Sequence, residues 1–181
     1  MQRLFRMTPP YSTVLDFWFS PKTSKTYLQE KSFWYGSTAA DDALVRNHLA
    51  PLYDTASQTS SLDDWQRQGD GEGALALILL LDQVSRNIFR GTARAYATDA
   101  KALEVARYAA LERGFGKEMP ATQRRYLYSP FNHSENVKDQ EVSVRLFEEL
   151  GDSYHLHWAR KFYEDIKRDG RFKHRDAILG R

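Results

Sequence analysis

Apolar residues recur at intervals of three and four along most of this 181-residue chain, and no alternating apolar–polar pattern extends beyond a few residues. This interval is that of an amphipathic α-helix, whereas a half-buried β-strand would alternate. The spacing predicts helices over residues 14–19, 38–56, 60–68, 74–89, 99–113, 120–128, 137–150 and 153–168. Seven or eight helices with short connections predict an all-α fold of antiparallel helical pairs.

Capping and helix-breaking residues predict where these helices begin and end. Short polar side chains accept hydrogen bonds from the free N–H groups of a first turn, whereas Gly and Pro end helices. The predicted caps are Thr98, Asn136 and Asp152, and the predicted stops are Gly91, Gly114, Pro130, Gly151 and Gly170. The helix over 74–89 should be central, because residues 74–81 are all apolar.

Composition excludes several classes of function. The apolar run at 74–81 is too short to cross a bilayer, which needs about 20 residues, so no membrane association is predicted. The chain has no cysteine, which excludes disulfides and thiolate sites and predicts a cytoplasmic location. A net charge of +2 argues against nucleic-acid binding. We predict one domain over residues 13–181, preceded by an N-terminal extension over 1–12.

The first group of candidate functional residues lies at the end of the central helix. Asp82, Arg86 and Arg90 are spaced by four, so they should share one face just after the apolar run. Arg outnumbers Lys by 17 to 9, and Arg recognises carboxylate or phosphate with two parallel hydrogen bonds. The face is therefore either an anion pocket, extended by Asn87 and Arg94, or an internal ion-pair network.

Two further groups follow. His133 and Glu135 lie in a predicted loop after Pro130, where they could transfer protons or ligate a metal. Alternatively, the loop only caps the next helix through Ser134, Glu135 or Asn136. The C-terminal segment alternates basic with apolar residues. If Phe172 docks on the body, its neighbours Arg171, His174 and Arg175 could point inward.

These three stretches resemble a known family. The resemblance is carried by Leu81-Asp82-Gln83, Arg86-Asn87-Ile88-Phe89-Arg90-Gly91, His133-Ser134-Glu135 and Gly170-Arg171-Phe172, and it extends over nearly the whole chain. They resemble the DUF924 family, which implies a tetratricopeptide-like superhelical fold but no reaction. The chain departs from the family pattern at Val84-Ser85 and at Phe162, where the resemblance leads us to expect a histidine. Members of the family also tend to continue beyond the position of Arg181.

Two functional hypotheses follow. In the first, the protein binds a small anionic ligand, with or without acid–base catalysis and without a metal or another cofactor. His133 and Glu135 would then move protons, Asp82 would orient an arginine, and the ligand would contact Arg86, Asn87, Arg90, Arg94, Arg171, His174 and Arg175. In the second, the fold is a protein-interaction module whose polar motifs form internal ion pairs.

Overall fold

A computed structural model describes residues 10–181, which contain helices and no β-strand. The predicted all-α class is therefore confirmed. The α-helices are α1 (Ser12–Phe19), α2 (Ala39–Gln58), α3 (Glu72–Ile78), α4 (Ser85–Ile88), α5 (Asp99–Arg107), α6 (Ala121–His133), α7 (Val137–Leu150), α8 (Ser153–Asp169) and α9 (Asp176–Leu179). The predicted extension over 1–12 lies mostly outside the described residues, and Ser12 already belongs to α1.

The central helix runs without a break from α3 through a π-helical segment, Leu79–Val84, into α4. Residues 74–81 have no exposed surface, so each large side chain among them contributes about 1.5–3 kcal/mol of hydrophobic stabilisation. Helices α1, α5 and α6 pack on α3, and α2 packs on the π-helical segment and α4. The prediction that this helix is central is confirmed.

The C-terminal half forms consecutive helical pairs. Helix α6 packs on α7 and α7 on α8. The cap residues Asn136 and Asp152 accept hydrogen bonds from the N–H groups of Lys138 and His155, as predicted. Because the turn between α7 and α8 contains only residues 151 and 152, the two helices run antiparallel. This arrangement is compatible with a tetratricopeptide-like superhelix.

One predicted helix type and one predicted helix end were wrong. Residues 60–68 contain a 3₁₀ helix, Asp63–Arg67, instead of an α-helix. Helix α6 continues through Pro130 to His133, although Pro130 was predicted to stop it. Pro130 has no N–H for the carbonyl of Tyr126, but the Ser129 hydroxyl lies 2.9 Å from that carbonyl oxygen. The single proton of this hydroxyl has two possible acceptors, the Tyr126 carbonyl and Asp82 at 2.8 Å, so a side chain can stand in for the missing N–H and the helix tolerates the proline.

Thr98 precedes α5 but its hydroxyl makes no capping bond. It donates to the carbonyl of Leu81 in the π-helical segment, and the Ser85 hydroxyl donates to the same oxygen at 2.9 Å. π-Helical turns are rare and often occur at functional sites. The bond from Thr98 ties the start of α5 to the turn that carries Asp82.

Candidate functional site

Asp82 is the centre of a buried polar cluster. Its side chain is fully buried on the π-helical segment. Nδ1 of His133 lies 2.6 Å from Oδ1, and Nη1 of Arg86 lies 3.1 Å from the same oxygen. Oδ2 accepts from Gln83 at 2.5 Å and lies 2.8 Å from the Ser129 hydroxyl. The carboxylate is therefore held from both sides by residues of the central helix and α6.

These partners decide the charge of Asp82. Burial alone would raise its pKa, but the positive charge of Arg86 and the contact with His133 outweigh burial and hold the pKa well below its usual value. Asp82 is thus ionised at neutral pH. Since an ionised carboxylate can only accept hydrogen bonds, Nδ1 of His133 carries the proton.

His133 is the last residue of α6 rather than part of a loop, and its side chain is about three-quarters buried. No atom of residues 10–181 forms a hydrogen bond with its Nε2 atom. His133 lines three adjacent cavities. The histidine is thus oriented by Asp82 through one ring nitrogen and can contact a ligand through the other.

The first cavity, which we call the arginine cavity, has a volume of about 270 Å³. Its lining includes Arg86, Arg90, Tyr96, His133, His174 and Arg175. The structure therefore brings together residues from all three predicted groups. A cavity of about 660 Å³ near Lys22 and Met119 contains none of them.

Two of the arginines in this cavity are neutralised by protein carboxylates. Arg86 donates two parallel hydrogen bonds to Asp99, at 2.9 and 3.0 Å, in addition to its contact with Asp82. Arg90 lies beyond the end of α4 and donates to both oxygens of Asp42, at 2.6 and 2.9 Å. The carboxylates of Asp42 and Asp99, in the first turns of α2 and α5, thus pair with arginines of the central stretch.

Arg175 differs from the other two. Its residue is only 6% exposed, and its guanidinium lies 4.6 Å from the ring centres of both Tyr96 and Phe172. Within residues 10–181 this group makes one hydrogen bond, a long one of 3.5 Å from Nη1 to Asp99, and its buried Nε atom has no partner there. Burial and the nearby charge of Arg86 lower the pKa of Arg175. Arg175 is therefore a buried cation with spare donors.

His174 lines the same cavity. Burial, followed by the positive charge of Arg175, lowers the pKa of His174 below its ordinary value. Phe172 is buried and packs edge-on against Phe162 at 5.6 Å between ring centres. The docking of Phe172 thus buries Arg175, whereas His174 lines the cavity but remains exposed to solvent. Arg171 is half-exposed and donates to Asp176 instead.

The remaining predicted residues have other surroundings. Asn87 is buried, and its amide nitrogen lies within hydrogen-bonding distance of Asp42, Ser37 and the carbonyl of Phe33, three acceptors for its two protons. Arg94 lies on the surface, 3.8 Å above the ring of Phe89. Neither residue lines the arginine cavity.

Glu135 connects the C-terminal segment to the end of α6. Its carboxylate accepts from the N–H of Phe172 and from Arg181. These donors outweigh the effect of burial and lower the pKa of Glu135. Glu135 also lines a second cavity of about 410 Å³, together with His133 and Arg175. It thus lies beside the predicted site, and one of its oxygens is occupied by the tail.

Sequence reasoning missed several residues of this site. Asp42 and Asp99 were explicable as acids in a first helical turn, where the helix dipole favours them. Tyr96, Asn132 and Ser129 carry no local signal, because only packing brings them to the central helix. Among residues 10–181, no three His, Asp or Glu side chains are grouped so that they could hold a metal ion. No helix in that range is long and apolar enough to span a membrane.

Comparison with known proteins decides the family. The model of the family described as "Bacterial protein of unknown function (DUF924)" matches residues 14–181. The chain belongs to the DUF924 family. A solved structure of a protein of unknown function from Agrobacterium tumefaciens is 34% identical, with a TM-score of 0.81, over 94% of this chain and 90% of that chain. No curated protein matches the sequence.

The DUF924 match includes all three predicted groups, from Asp82 to the C-terminal segment. The earlier resemblance is therefore confirmed for the family and for its helical fold. In this DUF924 protein, Phe162 lies in the lining of the arginine cavity beside His133 and His174. The family description contributes no reaction.

Proposed function

We propose that the protein binds a small anionic ligand, a carboxylate or a phosphate, in the arginine cavity. Arg175 is the anchor, and the Asp82–His133 pair is available for proton transfer. The observation that carries the proposal is the under-paired guanidinium of Arg175, which is buried and lines the cavity. A buried charge without full compensation is unfavourable, so a bound anion would stabilise it.

The hydrogen-bonding capacity of Arg175 supports this proposal. A guanidinium has five N–H donors in a planar fork that matches carboxylate and phosphate. Among the residues that the structure describes, Arg175 uses one of them, on Asp99, whose carboxylate already accepts two shorter bonds from Arg86. The rings of Tyr96 and Phe172 restrict the plane of the guanidinium. The free donors are thus held in place before a ligand arrives.

The second part of the proposal concerns His133. Its Nδ1 proton is directed to an ionised, buried carboxylate, so the lone pair of the neutral imidazole is on Nε2. When Nε2 takes a proton, the imidazolium that forms is stabilised by Asp82, as in other histidine–carboxylate pairs. His133 lines the same cavity as Arg175. The pair could therefore accept a proton from a ligand anchored on Arg175 or donate one to it.

The alternative is a protein-interaction module. It requires the charged groups of the polar motifs to be fully paired with one another by hydrogen bonds and ion pairs within the protein. Arg86 and Arg90 meet this requirement, because both donate to protein carboxylates. Arg175 does not meet it. Since an internal network would have no use for a buried arginine with spare donors, we favour the anion site.

Calorimetric titration with inorganic phosphate, sulfate and acetate tests the proposal. We expect the wild-type protein and Arg67→Met, which removes an exposed arginine paired with Asp64, to bind at least one of these anions with equal affinity. Arg175→Met should bind none, while circular dichroism shows that it is folded. Absence of anion binding by the wild-type protein, or equal binding by Arg175→Met, would refute the proposal.

A further inference from the structure

His133 also lines a third cavity, which we call the aromatic cavity, with a volume of about 390 Å³. Its lining includes Trp34, Tyr35, Tyr126, Phe147, Tyr154 and Trp158. Three residues, Asn132, His133 and Phe162, line both this cavity and the arginine cavity. The two cavities are therefore neighbours, and His133 stands between them.

One polar side chain at the boundary between the two cavities has a free donor. The side-chain oxygen of Asn132 accepts from Ser143, whereas its amide nitrogen donates to no atom of residues 10–181. Because Asn132 lines both cavities, this amide can donate to a polar atom of a ligand that lies across the boundary.

The outer edge of the aromatic cavity is unusually exposed. Tyr154 is 65% exposed and Trp158 is 37% exposed, one turn apart on α8. The Trp158 ring lies 5.9 Å from that of Phe162 at an interplanar angle of 37°. Large aromatic rings around a concavity form surfaces against which another flat ring can pack.

We infer that the natural ligand joins an anionic group to an aromatic ring, as an aryl phosphate or an aryl carboxylate does. This inference rests on the proposed function. The anionic group would lie on Arg175 in the arginine cavity, and the ring would lie among Tyr154 and Trp158 in the aromatic cavity. The bond that joins the two parts would then pass over Nε2 of His133, the ring nitrogen that is not bonded to Asp82.

The volumes agree with such a ligand. An apolar cavity of about 150 Å³ can hold a benzene ring, so 390 Å³ accommodates one or two fused rings. The arginine cavity of 270 Å³ is sufficient for a phosphate or carboxylate group. Together the two cavities fall within the range of about 300–1,000 Å³ found for small-molecule sites.

Titration with phenyl phosphate, inorganic phosphate and phenol tests the inference. We expect phenyl phosphate to bind at least about tenfold more tightly than inorganic phosphate, because ring packing adds to the charge contact. Trp158→Ala should reduce its affinity to that of inorganic phosphate. Tyr163→Ala, a control on the same helix at a different cavity, should change neither affinity. Phenyl phosphate should also shift the NMR signals of both the Trp158 indole N–H and the Arg175 Nε–H.

The outcomes separate the inference from the proposed function. If phenyl phosphate and inorganic phosphate bind equally, the inference is wrong and the anion site stands. If phenol binds as tightly as phenyl phosphate, the two cavities do not act together and the inference is also wrong. If none of the anions binds, both proposals fail.

Discussion

The carboxylate of Asp82 and the Nδ1 atom of His133 lie 2.6 Å apart, although 51 residues separate them in the chain. This contact joins the π-helical turn of the central helix to the last residue of α6. The contact fixes the orientation of the His133 ring through Nδ1. The other ring nitrogen, Nε2, is then available on the side of the ring that lines the cavities. The geometry of the candidate site therefore depends on this pair.

The first prediction concerns the tautomer of His133. In the neutral form the proton should be on Nδ1, because the ionised Asp82 accepts it. Nitrogen-15 NMR distinguishes the two ring nitrogens and should report this tautomer in the neutral imidazole. Asp82→Asn should reduce the preference, since an amide can also donate. A wild-type His133 with its proton on Nε2 would contradict the assignment.

The second prediction concerns stability in acid. The pKa of Asp82 is held below its usual value of 3.8, so its contribution is complete above that pH and is lost as the pH falls through the folded-state pKa. Urea unfolding between pH 2 and 6 should show this loss, and Asp82→Asn should have a shallower dependence. Asp64→Asn, which removes an exposed carboxylate paired with Arg67, should keep the wild-type slope.

The third prediction compares two arginines of the cavity. Arg86→Met should lower the free energy of unfolding by about 3–5 kcal/mol, because it leaves the buried Asp82 without the positive charge of Arg86 and leaves the partly buried Asp99 without its two short hydrogen bonds. Arg175→Met should change stability much less than Arg86→Met, since it removes a desolvated charge whose one hydrogen bond within residues 10–181 is long, together with its contacts to the rings of Tyr96 and Phe172. Chemical denaturation measures both. A large loss of stability in Arg175→Met would show that this arginine is structural.

The fourth prediction is a pH dependence of anion binding. Burial and the positive charge of Arg175 lower the pKa of His174. The carboxylates of Glu135 and Asp165 raise this pKa by smaller amounts, and Lys161 lowers it slightly. A bound anion would favour the protonated ring and raise this pKa. Sulfate affinity should therefore rise as the pH falls into the range in which His174 takes up a proton; in the free protein that range lies below the ordinary histidine pKa of about 6.5. Sulfate is the suitable probe because its own charge is constant in this range.

The control for this effect is His174→Gln, which should flatten the pH dependence while leaving sulfate bound at neutral pH. If the slope is the same in His174→Gln as in the wild-type protein, then His174 is not the group that takes up the proton.

The fifth prediction tests the proline in α6. Ser129→Ala removes a hydroxyl that lies within reach of both Asp82 and the carbonyl of Tyr126. Because Pro130 supplies no N–H to that carbonyl, the variant should lose about 1–3 kcal/mol of unfolding free energy. Ser57→Ala, which removes an exposed hydroxyl bonded to the carbonyl of Asp54, should change stability by less than about 0.5 kcal/mol.

The helices themselves were largely predictable, because their signals are local. Periodicity and the caps Asn136 and Asp152 predicted α7 and α8 nearly to the residue. The end of α6 was not predictable, because Pro130 looks like a stop until the Ser129 hydroxyl is seen beside the Tyr126 carbonyl. The apolar residues around the 3₁₀ helix at Asp63–Arg67 have a spacing that a short α-helix would also show, so periodicity could not distinguish the two kinds of helix.

By itself the sequence determined the helical class and the three stretches in which Arg, His and Asp gather, since both are properties of neighbouring residues. It could not distinguish Arg86, Arg90 and Arg175, which are chemically identical. Only the tertiary structure decided that the first two meet the carboxylates of Asp99 and Asp42, whereas Arg175 retains free donors. The physical reason is that a carboxylate compensates a buried arginine only within hydrogen-bonding distance, and packing alone sets that distance.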